Sequence, residues 1–156
     1  MRSLRLLSIL LPLVLAGCSG LGGIGGRPQT YSKTFQATFD EVWGATIKVF
    51  EDRQVELREA DKGQGKIITQ WLFRESEKGM GMLQRGYWKE RHRLTLRIKG
   101  KERGTEVSTY AIVEEKRPGG TQAYRWTRME STGDLEREVL EAIEAAIASV
   151  TEKGVR

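Results

Sequence analysis

Twelve residues in the middle of the chain, Trp88 to Lys99, alternate strictly. The even positions read Trp88, Glu90, His92, Leu94, Leu96 and Ile98; the odd ones read Lys89, Arg91, Arg93, Thr95, Arg97 and Lys99. A helix would scatter both sets around its circumference, whereas a strand sends them to opposite faces. The segment therefore reads as a strand with Leu94, Leu96 and Ile98 in a core and five cations on the other side. An antiparallel sheet can leave one face in water, but its apolar face must be covered. The chain has to supply helices for that purpose.

Two segments have the right stripe. Thr38, Phe39, Asp40 and Glu41 form a capping-box pattern, and Phe39, Val42, Trp43, Thr46, Ile47 and Phe50 follow at spacings of three and four. They predict an amphipathic helix of about fourteen residues with Trp43 as its core anchor. Near the end, Leu135, Val139, Ala142, Ile143, Ala146, Ile147 and Val150 repeat at helical spacing. Ser131 or Thr132 caps this second helix, Asp134, Glu136 and Glu138 favour its positive end, and Gly154 stops it.

The remaining strands are shorter. Tyr31 to Ala37 alternates, a strand begins at Val55 to Arg58, and a turn cluster runs from Asp61 to Gly65. Gly65 to Arg74 reads as one strand. The turn Gly100 to Gly104 leads into a strand from Thr105 to Lys116, and pairing through it places Glu106 near Arg97 and Glu114 near Lys89. Ser76 to Gly86 reads as a glycine-rich loop carrying Met80, Met82 and Leu83, either packed over a sheet edge or meeting a partner. Pro118 to Gly120 opens another loop, which carries Tyr124 and Trp126. The expected order is β-α-β-β-β-β-α: a two-layer α+β domain over residues 31–153, with an antiparallel sheet packed on a long C-terminal helix in a helix-grip-like arrangement.

The outer sheet face reads either as a solvated surface or as a docking surface for anionic lipid headgroups or an acidic protein patch. Lys89, Arg91, Arg93, Arg97, Met80, Met82 and Trp88 make up the candidate partner surface.

Catalytic patterns are missing from the sequence. It contains no Gly-x-Ser-x-Gly elbow, no Walker loop and no Cys/His cluster, and the Gly-x-Gly pairs at Gly63–Gly65 and Gly79–Gly81 do not open helices. His92 is the only histidine, with no second ligand near it in sequence, so no metal or other cofactor is expected. The formal charge is +5, which is no argument for nucleic acid. The expectation is a binding or interaction module rather than an enzyme.

The N-terminus carries a different signal. Arg2 and Arg5 precede an apolar run from Leu6 to Leu15. Ten residues span about 15 Å as a helix, half a bilayer core, which fits a signal peptide and not a transmembrane helix. Leu15, Ala16, Gly17 and Cys18 follow, and this motif resembles the bacterial lipobox. The resemblance implies that residues 1–17 are removed, that the Cys18 thiol carries diacylglycerol, and that the new amine is acylated with a chain such as palmitate. Ser19, where an aspartate would imply inner-membrane retention, implies the outer membrane with the domain facing the periplasm. Cys18 is the only cysteine, so no internal disulfide forms. Residues 18–30 then act as a lipidated, glycine-rich tether averaging roughly 20 Å in reach.

A second resemblance covers the domain. Phe39, Asp40, Glu41, Val42, Trp43, Gly44, Ala45 and Thr46, followed by Gly65, Lys66, Ile67, Ile68, Thr69, Gln70 and Trp71, are similar to the repeated domain of the BamC family. These are lipoprotein accessories of the machinery that folds outer-membrane β-barrels. The resemblance runs from about Tyr31 to Val150 and implies a helix-grip fold and an envelope protein complex as partner. This chain holds one such domain and a short tether, where the family holds two domains and a long partner-binding N-terminal segment. The alternative reading is a binder of a lipid or other hydrophobic small molecule, since a sheet gripping a helix can enclose an apolar cavity.

Overall fold

The computed structural model describes residues 28–79, 85–118 and 125–154. Seven strands and two helices follow one another as β1 (Tyr31–Phe35), α1 (Phe39–Asp52), β2 (Leu57–Asp61), β3 (Lys66–Thr69), β4 (Leu72–Gly79), β5 (Arg85–Lys101), β6 (Gly104–Lys116), β7 (Trp126–Met129) and α2 (Asp134–Gly154). The class is α+β with an antiparallel sheet against two helices, as expected. The strand count is larger, for reasons that shape the candidate site.

The long hairpin β5–β6 is the spine, and each of its edges carries two short strands end to end. Along β5, β3 pairs over Thr95–Arg97 and β4 pairs over Arg85–His92. Along β6, β1 pairs over Thr105–Thr109 and β7 over Val113–Lys116. Strand β2 completes the sheet beyond β3. The segment read as one strand from Gly65 to Arg74 is thus broken at Gln70 and Trp71, where the Gln70 N–H turns away to donate to the Glu56 carbonyl at 2.8 Å. The expected loop from Ser76 to Gly86 is partly strand, because β4 continues to Gly79 and β5 starts at Arg85. Trp126, expected in a loop, opens β7.

The strict alternation in β5 holds. Leu94, Leu96 and Ile98 are buried, together with Val107 and Ala111 of β6, Ile67 of β3 and Phe35 of β1. Both helices cover this face. On α1 the buried residues are Val42, Ala45, Thr46, Val49 and Phe50. Trp43 sits at the margin of that stripe, half-buried and stacked with Phe39 at 6.1 Å, so it flanks the core instead of anchoring it. On α2 the buried set is Glu136, Val139, Leu140 and Ile143. Burying each large aliphatic side chain contributes about 1.5–3 kcal/mol, and these positions hold the two layers together.

Local chemistry fixes where the helices begin. The capping box forms as the sequence predicts: Thr38 N–H donates to the Glu41 carboxylate at 2.8 Å, and Glu41 N–H donates to the Thr38 hydroxyl at 3.3 Å. These Thr38 bonds hold the Glu41 carboxyl below its ordinary range. At α2 the cap position is Gly133, neither Ser131 nor Thr132: its carbonyl accepts the first helical bond, from Arg137 N–H at 3.0 Å. Gly133 has φ +80° and lies against the Tyr31 ring, leaving no room for a Cβ.

Candidate functional site

Pairing registers assign each side chain of the sheet to a face. Arg91 stands opposite Glu114 and Lys99 opposite Glu106, two residues displaced from the pairs that the turn implied. The reason is the turn itself: Lys101 pairs with Gly104, so the connection is tighter than the glycine-to-glycine span suggested. The Arg91 guanidinium donates to Glu114 Oε2 through both Nε, at 2.7 Å, and Nη2, at 2.5 Å.

The outer face of the far half of the sheet is an aromatic and cationic layer. The break between β3 and β4 aims Trp71 across the sheet, and β7 brings Trp126 in from the other edge. The Arg91 guanidinium lies 4.3 Å from the Trp71 ring and 4.2 Å from the Trp126 ring. Arg93 lies 4.4 Å from Trp71, and Lys116 5.8 Å from Trp126. Phe73, opposite Arg91 on β4, packs at 6.3 Å from Trp126 yet remains 67% exposed. Cations stacked on aromatic faces gain roughly 0.5–2 kcal/mol each and are held in place.

Charge on this face is unbalanced. Over the outer face of both halves, and among the described side chains, the registers put Lys66, Lys89, Arg91, Arg93, Arg97, Lys99, Lys101, Lys116 and Arg128, against Glu59, Asp61, Glu75, Glu106 and Glu114. Five carboxylates thus face nine cations, and each carboxylate is engaged: Lys66–Glu59 at 2.8 Å, Lys89–Glu75 at 3.5 Å, Lys101–Glu106 at 2.8 Å, Arg91–Glu114, and Asp61, which accepts from the Gln64 N–H at 3.0 Å.

Of the sequence-nominated surface, Lys89, Arg91, Arg93 and Arg97 are brought to this outer face. Trp88 is not. It is an even residue of β5, so it lies on the opposite face, with the Arg117 guanidinium 5.0 Å from its ring. Arg91 and Arg93 are not freely solvated cations either, because the tryptophans hold them. Met80 and Met82 lie outside the described residues, as do Leu15, Ala16, Gly17 and Cys18. Trp71, Phe73 and Trp126 were missed as site residues. Their period-two relation to Arg91 becomes visible only when four separate segments pair.

The inner face continues beyond the core into a cleft of about 290 Å³ at the start of α2. Arg74, Glu90, His92 and Glu115 line its sheet side, and Met129 to Thr132 line the other. His92 Nε2 lies 3.6 Å from Glu90. Burial pushes the imidazole below its ordinary value, opposed by Glu90 and assisted by Arg74. Among the described residues, no three carboxylate, imidazole or thiol groups gather as a metal site, and no helix is long and apolar enough to cross a membrane.

No protein-family model and no curated protein matches the chain. Several solved structures share parts of the architecture. A DUF4468 family protein from Bacteroides ovatus aligns over 81% of this chain and 84% of its own, with 10% identity and a TM-score of 0.43. Ara h 8.0201 aligns over 80% and 97%, with 9% identity and a TM-score of 0.38. A TBP-like protein from Parabacteroides distasonis aligns over 81% and 87%, with 11% identity and a TM-score of 0.32. At these values the likeness carries no functional argument.

Proposed function

We propose that this chain is a membrane-anchored periplasmic lipoprotein of the outer membrane, and that its folded domain is a non-enzymatic interaction module of the envelope, an accessory of outer-membrane protein assembly in the manner of BamC-like lipoproteins. The anchor is Cys18, in the motif Leu15, Ala16, Gly17, Cys18. The observation that carries the interaction reading is the outer sheet face. Phe73 stands in water beside Trp71 and Trp126, within a surface whose described cations outnumber its carboxylates nine to five. Scattered exposed apolar residues are ordinary, but contiguous aromatic patches mark surfaces that something else covers.

The competing reading, a hydrophobic small-molecule binder, fits less well. The cleft beside α2 is lined by Arg74, Glu90, His92 and Glu115. An acyl chain there would strip water from charged groups without replacing their hydrogen bonds, which is costly. Isolation of the full-length protein from detergent-solubilised membranes, followed by identification of co-purifying proteins, tests the proposal. Recovery of a recurrent set of envelope proteins supports it, and recovery with no envelope partner contradicts it.

A further inference from the structure

We infer that the outer sheet face lies against the surface of an anionic phospholipid bilayer. The inference rests on the reading of the chain as a membrane-anchored module and deepens it by naming what this face meets.

Three properties of the face lead to the bilayer. The first is its shape. It is the broad solvent-facing side of an antiparallel sheet, not a groove, and the helices and the cleft all lie on the other side. A broad surface of this kind suits a planar partner. The second is charge. With nine cations against five carboxylates among its described side chains, the face carries a formal excess of four positive charges, complementary to lipid phosphates. A cation near an anionic bilayer strengthens association by roughly fivefold. The third is the placing of the aromatic rings. Trp71, Phe73 and Trp126 lie in one layer with the guanidinium groups of Arg91 and Arg93. Tryptophan rings settle at the headgroup level of a membrane, and the exposed cations of the same face, Lys89, Arg97, Lys99 and Arg128, are the ones that reach the phosphates. An acidic protein patch would satisfy the cations but gives no role to Phe73, the most exposed aromatic side chain of the described core domain.

Docking in this pose aims α1, α2 and the inner cleft away from the membrane.

Residues 28–154 contain every strand, helix and core residue among the described residues, so this fragment carries the described fold without Cys18. Co-sedimentation of the fragment is measured with vesicles of phosphatidylethanolamine and phosphatidylglycerol in a three-to-one ratio, and with vesicles of phosphatidylcholine alone. The expected result is binding at least about tenfold stronger to the anionic vesicles, weakening steeply as salt is raised through about 0.1 M. Phe73→Asp, at an exposed position, is expected to weaken it at least about fivefold, and the pair Arg97→Glu with Arg128→Glu at least about tenfold. Circular dichroism confirms that each variant is folded. No binding to anionic vesicles, equal binding to both vesicle types, undiminished binding by folded Phe73→Asp, or binding to a soluble polyglutamate peptide in place of the vesicles would each overturn the inference. Because the fragment lacks Cys18, its result is independent of whether the full chain is lipidated.

Discussion

Leu94 and Ala111 face each other across the central hairpin, and each turns its N–H outward to a side-chain oxygen instead of a neighbouring strand. Leu94 N–H donates to the Thr69 hydroxyl at 3.1 Å, and Ala111 N–H donates to Glu136 Oε1 at 3.1 Å. The two strand breaks, between β3 and β4 and between β1 and β7, therefore fall at the same level of the sheet. Both are closed by polar side chains that are fully buried. This seam separates the half of the sheet beneath the helices from the half whose outer face carries the aromatic layer.

Glu136 closes its side of the seam with both oxygens, since Oε2 accepts from the Ser131 hydroxyl at 2.9 Å. Truncation leaves a buried N–H without a partner. Glu136→Ala is expected to lose about 2–3 kcal/mol of stability, and Glu136→Gln, which retains an acceptor, less than about 1.5 kcal/mol. Urea unfolding of the two variants gives the comparison.

Gly65 holds the β2–β3 turn against β5. It has φ +61°, its carbonyl accepts from Ile98 N–H at 2.7 Å, and an added Cβ would collide with the Ile98 carbonyl. Gly65→Ala should cost about 2 kcal/mol or more, from the backbone conformation and the collision together. The thermal midpoint should fall accordingly, whereas Gly44→Ala, where nothing obstructs a Cβ, should leave it unchanged or raise it.

Acid should weaken the fold through His92. Its imidazole is held below the ordinary value of 6.5, chiefly by burial, with Glu90 opposing and Arg74 adding to the effect. Below about pH 6.5 the unfolded chain binds the proton first, so stability present at neutral pH is lost as pH falls toward the lowered folded value. His92→Gln should flatten that slope. Denaturant midpoints measured between about pH 7.5 and pH 5 give the answer, and an unchanged slope would remove His92 as its source.

The Arg91 stack makes lysine a poor substitute. Arg91 meets two indoles and binds Glu114 through two donors, with both side chains about four-fifths buried. Arg91→Lys keeps the charge but loses the planar fork and the stacking, and should cost about 1–2 kcal/mol. Tryptophan emission should shift to the red as Trp71 and Trp126 gain water.

The sequence made the core half of the sheet legible because period-two and period-3.6 patterns record burial directly. Leu94, Leu96 and Ile98 fell where expected, as did the Thr38–Glu41 cap. Glu136 did not: a carboxylate in a first helical turn reads as a solvated dipole partner, and only the gap between β1 and β7 explains its burial. The outer face was half legible. Its cations were visible in β5, but Trp71 and Trp126 belong to it through a strand break and a strand pairing that no local pattern encodes. Trp88 went to the wrong face by association with the neighbouring loop. Its parity in the alternation already placed it with Leu94.

The account depends most on Cys18. Cells expressing the full chain, wild type or Cys18→Ala, are labelled with radioactive palmitate, and the protein is isolated and resolved by mass. The account predicts a labelled wild type that has lost residues 1–17 and an unlabelled, uncleaved Cys18→Ala. An unlabelled wild type, or equal labelling of the two, would contradict it.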